Sequence, residues 1–370
     1  MKAIVLHEYG PASNLAYEDI ADPRPSEGSV LVRVAATSIN PADWRVRSGA
    51  VKDFISIAFP YTPGLDLAGT VVEVGEGVTG FEPGDRVMAV ARHTYAELCT
   101  VKATDLVKIP DGLEMTTAAA LPLVNVTGDA MIQLGAKVQP GQTVLVTGAL
   151  GGVGRSAIFA ASQIGARVIA GVRGKRLDAA RHLLGVSEAI AIDDDAEIDK
   201  LGPLDCVADT VGREHAGQLL ARVKEGGTFG CFPTQNPRNA ALHPTIQINI
   251  VIAPVNSATI LRYAEAVRDG KLTIPVERIM PLADAAEAQA IAEKGVLPRL
   301  SSPPEHARSG VPATATVMKT VAVAGRDLFN CHGSFGVSLV DCPRHDGRTM
   351  LERHAQLLLF SEMVDFNALR

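Results

Sequence analysis

A glycine-rich segment is the clearest candidate for chemistry in the sequence. It directly follows the apolar run Thr143–Thr147 and precedes a stretch, 152–164, that is predicted to be helical. Glycines at such a junction let the backbone approach a pyrophosphate, and the start of the helix supplies free N–H groups and the positive end of its dipole. This strand-loop-helix order favours a dinucleotide site over an ordinary tight turn. The residues expected to contact the phosphates are Gly148, Gly151, Gly152, Val153 and Gly154.

The residues after the second predicted strand indicate which dinucleotide binds. Ala166–Val172 is predicted to be that strand, and Arg173, Lys175 and Arg176 follow it. At this place an acidic residue favours NAD, whereas basic residues favour the 2′-phosphate of NADP. No carboxylate stands there, so we expect NADPH, held by charge-assisted hydrogen bonds from the three cations. The alternative is that they are solvated charges at the start of a helix.

The same glycines also fit the T-G-x-x-x-G-x-G pattern of short-chain dehydrogenases. Those enzymes share a Tyr-x-x-x-Lys catalytic pair, but none of the 5 tyrosines of this chain has a lysine four residues later. Their glycine motif also lies near the N-terminus, whereas here Thr147-Gly148 lies far along the chain. We therefore set the short-chain alternative aside.

Two regions of different pattern must position these residues. From about 137 to 250, apolar strands alternate with helical stretches, which is typical of parallel β-α-β units. From 2 to about 110, short β-branched runs separated by Gly and Pro predict an irregular β domain. Between them, 116–135 is rich in Ala and Leu and is predicted to be helical. The fold class is therefore α/β.

Length and composition exclude several other classes of protein. The 370 residues suggest two or three domains, and a formal charge of -6 argues against a nucleic-acid or anionic-membrane partner. No apolar stretch approaches the length of a transmembrane helix, and the apolar run at the N-terminus is too short for a signal peptide. The 5 cysteines are scattered without a C-x-x-C pair, so we expect a reduced, cytoplasmic protein.

Several segments in the right order resemble the medium-chain dehydrogenase/reductase superfamily, in its zinc-independent quinone oxidoreductase branch. The matching segments are Asn40–Gly49, Pro63–Val71, Gly84–Val87, Tyr95–Glu97, Ala119–Pro122, Gly148–Gly154 and Asp209–Gly212. The resemblance implies a GroES-like catalytic β domain at 1–120 and 255–297, and a Rossmann domain, a doubly wound parallel sheet that binds NADPH, at 121–254. It also implies a homodimer.

The resemblance exposes residues that zinc enzymes of the superfamily have and this chain lacks. They place a Cys where Asn40 stands, and Gly-His-Glu where Gly64-Leu65-Asp66 stands. No Cys lies between Cys99 and Cys206, so the third catalytic ligand and the structural four-cysteine loop are missing too. Catalytic zinc needs three protein ligands and an open position. We therefore expect no metal.

Without a metal Lewis acid, an alcohol is hard to oxidise. A quinone or an α,β-unsaturated carbonyl accepts a hydride readily, because the negative charge is delocalised onto its oxygen. We therefore expect an NADPH-dependent quinone or enone reductase acting on a small molecule. The acceptor oxygen needs hydrogen-bond donors. The candidates are Asn40 first, then Arg45 and Tyr61, although Asn40 could instead cap a turn before Pro41. Two alternatives stay open: an NADPH-binding protein with little turnover, and an enoyl-thioester reductase.

The resemblance assigns two further residues to the cofactor. Thr127 matches a position beside the nicotinamide phosphate, and Phe232 follows the fifth strand of the parallel sheet, where the loop contacts the cofactor. His93 could donate a proton, although a solvated loop histidine is the simpler interpretation, since the proton can come from water.

The resemblance ends abruptly near residue 297. Family members end in a short closing strand, whereas 298–370 shows no continuing pattern of strands and helices. We predict an atypical tail, either disordered or a non-native, frame-shifted extension. A zinc site formed by Cys331, His332, Cys342 and His345 is a weaker alternative, because their spacing is not a standard one.

Overall fold

The computed structural model describes residues 1–212, 214–233, 237, 240–294 and 317–320. Within these ranges no helix is both long and apolar enough to cross a bilayer. The strands are β1 (Lys2–Leu6), β2 (Leu15–Asp19), β3 (Ser29–Ile39), β4 (Asp66–Val74), β5 (Arg86–Val90), β6 (Leu98–Lys102), β7 (Leu106–Lys108), β8 (Thr143–Thr147), β9 (Arg167–Val172), β10 (Glu188–Ala191), β11 (Leu204–Ala208), β12 (Val223–Cys231), β13 (Gln247–Ile250), β14 (Ile279–Met280) and β15 (Val317–Thr320). The helices are α1 (Pro41–Arg47), α2 (Met115–Ala118), α3 (Pro122–Ala130), α4 (Gly152–Ile164), α5 (Leu177–Arg181), α6 (Asp195–Asp199), α7 (Glu214–Leu220), α8 (Ser257–Arg268) and α9 (Ala285–Glu293).

The second region forms a parallel sheet with the strand order β10-β9-β8-β11-β12-β13. Counted from β8 as the first strand, this is the doubly wound order 3-2-1-4-5-6. The strands next to the centre are buried on both faces, and Val144, Leu145 and Val146 of β8 are fully buried. The predicted strand Thr143–Thr147 and the predicted helix 152–164 are confirmed.

The first region forms an antiparallel sheet, as the β-branched runs predict. Its order is β14-β15-β3-β4-β5-β7, with β6 paired to β3, and β1 and β2 form a separate two-stranded sheet. Strand β3 ends at Ile39 and β4 begins at Asp66, so this sheet brings the segments after and before them together. The sequence patterns did not predict β2, β7 or β13.

The predicted helix over 116–135 is divided into parts. Helix α2 ends at Ala118, α3 starts at Pro122, and a π-helical turn, Met131–Ala136, follows it. Pro122 has no N–H to continue a helix, but it fits the first position of a new one. The single predicted helix is therefore two short helices, the second of which starts at the proline.

Four residues beyond 297 belong to the antiparallel sheet. Strand β15 pairs in parallel with Ala36–Ile39 of β3 and antiparallel with β14. This corrects, for these four residues, the expectation that no strand continues the fold there. The pairing was not foreseeable because the paired residues, such as Val317 and Ala36, lie about 280 positions apart in the chain. The proposed zinc ligands Cys331, His332, Cys342 and His345 lie outside the described residues, as does most of the predicted tail.

Candidate active site

The glycine segment lies between β8 and α4, as predicted, and two of its glycines are needed for its shape. Gly148 has φ of +61°, and a Cβ there would lie 2.5 Å from Oγ1 of Thr210. A Cβ on Gly154 would clash with the carbonyl oxygen of Gly148. Residues with side chains cannot take these two positions without moving the loop.

The first turn of α4 has no side-chain cap. Its N-cap, Gly151, has no side chain to cap the helix, and the first turn, which contains Gly152, Val153 and Gly154, holds no acidic residue. Arg155 in this turn donates from Nε to the carbonyl of Leu150 at 3.1 Å. Uncapped N–H groups at the positive end of a helix dipole fit a pyrophosphate.

The carboxyl ends of β8 and β11 are joined beside this loop. Thr147 Oγ1 donates to Oδ1 of Asp209 at 2.7 Å, and Thr210 donates from Oγ1 to the carbonyl of Thr147 at 2.8 Å. Asp209 also accepts the N–H groups of Val211 and Gly212, and burial raises its pKa. In an open parallel sheet, ligands bind where strand order reverses, which here is between β8 and β11.

The predicted phosphate-binding cations follow β9 on a single turn, Gly174–Arg176. Lys175 and Arg176 are exposed, and Arg173 is half-buried. The N–H of Gly174 donates to Oδ1 of Asp193 at 2.7 Å. Sequence analysis missed this carboxylate because it follows β10, not β9. The Asp193 carboxylate accepts this backbone hydrogen bond, and its negative charge offsets part of the positive charge of the turn.

Helix α3 holds Thr127 next to α4. Thr127 is half-buried, and its neighbour Gly128 packs so closely on α4 that a Cβ would lie 2.5 Å from Cβ of Ser156. Ser156 also donates from Oγ to Oδ1 of Asn125 at 2.8 Å. Phe232, at the end of β12, is half-buried against the apolar core under this helix. The structure thus brings α3 beside the glycine loop.

Asn40 is buried at the N-terminus of α1, between two carboxyl groups. Its Nδ2 donates to Oδ2 of Asp66 at 2.7 Å and to Oγ of Ser38 at 3.0 Å. Its backbone N–H donates to Oδ2 of Asp43 at 2.6 Å, and the N–H of Asp43 donates back to its carbonyl at 2.9 Å. Asn40 and Asp43 thus cap the start of α1 together, and both amide hydrogens of Asn40 are held inside the chain.

Both neighbouring carboxyl groups have raised pKa values. Burial raises the pKa of Asp43 to about 7 and that of Asp66 to about 6. Asp43 also accepts a hydrogen bond from the hydroxyl of Tyr95 at 3.1 Å. Asp66 accepts hydrogen bonds from Ser38 and from the backbone of Leu123. The sequence signal that could have found Asp43 is its place at the third position of a helix that starts after Asn40.

Tyr61, His93 and Arg45 are the other candidates. The rings of Tyr61 and His93 meet edge to face with centroids 5.4 Å apart. Tyr61 is mostly buried, and burial raises the pKa of its hydroxyl, so it stays a hydrogen-bond donor at neutral pH. His93 Nδ1 lies 2.9 Å from the carbonyl oxygen of Thr62, and burial lowers the pKa of its ring. Burial also lowers the pKa of Arg45, which is half-buried on α1.

Comparison with known proteins identifies the family. Residues 26–111 match the model of the alcohol dehydrogenase GroES-like domain, and residues 184–296 match that of a zinc-binding dehydrogenase. An alcohol dehydrogenase superfamily protein of Novosphingobium aromaticivorans is 30% identical, with 81% of this chain and 97% of that one covered and a TM-score of 0.69. The chain belongs to the medium-chain dehydrogenase/reductase superfamily.

Within this superfamily the chain is similar to quinone oxidoreductases. The structure of the quinone oxidoreductase from Coxiella burnetii is 28% identical and has a TM-score of 0.74, with 86% of this chain and 99% of that chain covered. A chloroplast envelope quinone oxidoreductase homologue of Arabidopsis thaliana is 34% identical over 51% of this chain. The chain spans only 60% of that relative and 52% of a pig quinone oxidoreductase.

The donor set at the metal position of this superfamily does not fit zinc. Asn40 and Leu65 stand where the zinc enzymes have Cys and His, and a leucine side chain has no donor atom. The Asn40 amide is occupied by Ser38 and Asp66. Among the residues that the structure describes, no three His, Cys, Asp or Glu side chains form a group that could hold a metal. The chain matches the zinc-binding dehydrogenase model, but the residues at this position do not suit a zinc ion.

Proposed function

We propose that this chain is an NADPH-dependent, zinc-independent oxidoreductase that transfers a hydride to a quinone or an α,β-unsaturated carbonyl. The observation that carries the proposal is an intact dinucleotide loop in a protein whose metal position holds Asn40 and Leu65. The fold supports hydride transfer, and Asn40 and Leu65 do not suit a zinc ion that would lower the pKa of an alcohol. A conjugated acceptor needs only hydrogen-bond donors, because its developing charge moves onto oxygen.

The cofactor is proposed to lie along the carboxyl end of the parallel sheet. Its pyrophosphate would bind at Gly148–Gly154, and its 2′-phosphate would bind Arg173, Lys175 and Arg176. Thr127 and Phe232 would contact the nicotinamide half. When bound, NADPH supplies the hydride from its nicotinamide ring. The chain holds the cofactor in position and supplies the positive charges that bind its 2′-phosphate.

Asn40, Arg45 and Tyr61 remain the proposed donors to the acceptor oxygen, and each of them already has a partner within the chain. Because burial keeps the Tyr61 hydroxyl protonated, it can donate at any physiological pH. Asn40 keeps its proposed role as a residue at the acceptor, but donation from its amide would require exchange of the bond to Ser38 or to Asp66. The proton that completes the reduction can come from water, so no acid in the chain is required.

The proposal extends to the organisation of the molecule. A catalytic domain of 1–120 and 255–297 and a Rossmann domain of 121–254 would work in a cytoplasmic homodimer. Size-exclusion chromatography with light scattering tests the dimer directly.

Oxidation of NADPH and NADH at 340 nm, with 9,10-phenanthrenequinone and with an alkenal, tests the activity. We expect turnover with NADPH, a much higher KM for NADH, and no loss after dialysis against a chelator. Turnover with crotonyl thioesters alone would favour the enoyl-thioester alternative. Tight NADPH binding without oxidation by any acceptor would contradict the proposal and favour a cofactor-binding protein.

A further inference from the structure

The two carboxylate oxygens of Asp66 bind two different parts of the molecule. Asp66 begins β4 and is fully buried. Its Oδ1 accepts the backbone N–H of Leu123 in α3 at 2.7 Å. Its Oδ2 accepts Nδ2 of Asn40 at 2.7 Å and Oγ of Ser38 at 2.5 Å. One side chain thus joins the start of α3 to the candidate acceptor site.

The start of α3 has no cap of its own. Its N-cap is Leu121, whose side chain accepts no hydrogen bond, and its first turn holds no acidic residue. Pro122 has no N–H, so the N–H of Leu123 is the first that needs a partner. Asp66 supplies that partner from a strand of the other sheet. A carboxylate there also suits the positive end of the helix dipole.

The other oxygen of Asp66 fixes the Asn40 amide. An amide has two N–H donors and one acceptor oxygen, and here both donors point to Oδ2 of Asp66 and to Ser38. Both amide hydrogens are therefore held inside the chain, which fixes the orientation of the Asn40 side chain.

We propose that Asp66 is a positioning residue that sets the place of Asn40 relative to the cofactor helix α3. The expected effect of Asp66 on turnover depends on the proposed reductase function. Its hydrogen bonds to α3 and to Asn40 do not depend on that function. Only a carboxylate can do both tasks, because each task needs an acceptor oxygen. In Asp66→Asn one oxygen becomes NH₂, so either Leu123 or Asn40 loses its acceptor whichever way the new amide turns.

Asp43 offers a matched control. It is also a fully buried carboxyl group with a raised pKa, and it accepts hydrogen bonds from the Asn40 backbone and from Tyr95. It makes no described hydrogen bond to α3 or to the Asn40 amide. Both of these hydrogen bonds go to Oδ2 of Asp43, so Asp43→Asn can keep them and should leave the contact between Asp66 and α3 unchanged.

Hydrogen exchange measured by mass spectrometry tests the structural half without any turnover. In Asp66→Asn we expect exchange at least tenfold faster in peptides covering the first turn of α3, with little change in α8 or α9. In Asp43→Asn the α3 peptides should exchange as in the unchanged protein. Equal protection of α3 in Asp66→Asn and in the unchanged protein would overturn the inference.

Kinetics with 4-deuterated NADPH test the functional half. A misplaced acceptor slows the hydride step itself, so Asp66→Asn should raise the deuterium isotope effect and the acceptor KM while kcat falls about tenfold or more. A partly unfolded enzyme would have a lower kcat with an unchanged isotope effect and an unchanged acceptor KM. That result would overturn the proposed effect of Asp66 on turnover. If the unchanged protein shows no turnover, the proposed function fails, and the exchange experiment still decides the inference.

Discussion

Lys175 and Arg176 stand exposed on the turn after β9, where the proposed 2′-phosphate would bind. A hydrogen bond to a charged group contributes about 1.5–3 kcal/mol, and exposure favours the lower end of that range. Arg176→Ala should therefore raise the KM for NADPH about tenfold and leave that for NADH nearly unchanged. Both values follow from initial rates at 340 nm.

Arg181→Ala is the control for this substitution, because Arg181 lies one helical turn away and its charge is paired with Asp178. It should change neither value. Equal losses with NADPH and NADH in Arg176→Ala would show that the arginine acts on the loop and not on the 2′-phosphate.

Asp43 should make the protein less stable as the pH rises. Burial places its folded pKa near 7, above the ordinary value of 3.8, so the folded state binds more protons than the unfolded state between these values. The contribution of Asp43 to the free energy of unfolding is therefore largest below about pH 4 and is lost as the pH rises to about 7. The change is of the order of a few kcal/mol.

Asp43→Asn should flatten that dependence. Asp66, whose pKa is raised to about 6, titrates in the same window and keeps part of the slope. Urea denaturation at pH 4.5, 6 and 7.5 measures the difference between the two proteins. An unchanged slope in Asp43→Asn would mean that this carboxyl group is already ionised in the folded protein at pH 4.5.

At the scale of elements, the shape of the β8-loop-α4 unit requires the two glycines Gly148 and Gly154. A Cβ on Gly154 would meet the carbonyl group of Gly148, which is backbone and cannot turn away. Gly154→Ala should therefore move the loop and weaken NADPH binding by more than tenfold, measured by equilibrium dialysis. Gly202→Ala is the matched control, because a Cβ there has nothing within 4 Å and its φ is ordinary. A Gly154→Ala protein with unchanged affinity would remove the loop from the cofactor site.

The same unit shows why some elements were predictable and others were not. Strand β8 and helix α4 were predicted because their patterns of apolar residues and glycines are local. Strand β15 was not predicted, since four residues form a strand there through pairing with the distant β3. The Asp66 contact to Leu123 joins residues 57 positions apart, so no local pattern could indicate it. The strand, loop and helix that hold the candidate cofactor residues could therefore be predicted from the sequence, whereas the buried hydrogen-bond partners of Asn40 could not.

Across the whole molecule, α1 is joined to α9, which lies about 240 residues later in the chain. Arg47 on α1 is buried and donates to Oε1 of Gln289 at 2.8 Å and to Oε2 of Glu293 at 2.7 Å, both on α9. The α1 helix, which begins after Asn40, is thus fixed by the last described helix. A buried pair that loses one partner leaves an uncompensated charge.

Strand β15 gives the region after α9 a structural role that truncation can test. A chain ending at residue 320 keeps β15, whereas one ending at 294 leaves Ala36–Ile39 of β3 and the short β14 without this partner. Each lost backbone hydrogen bond costs about 0.5–1.5 kcal/mol, so the shorter chain should be less stable by a few kcal/mol in urea denaturation. Because Ile39 directly precedes Asn40, the acceptor KM should also rise in the shorter chain. Equal stability of the two truncated chains would show that β15 contributes nothing to the fold and would support a non-native extension after residue 297.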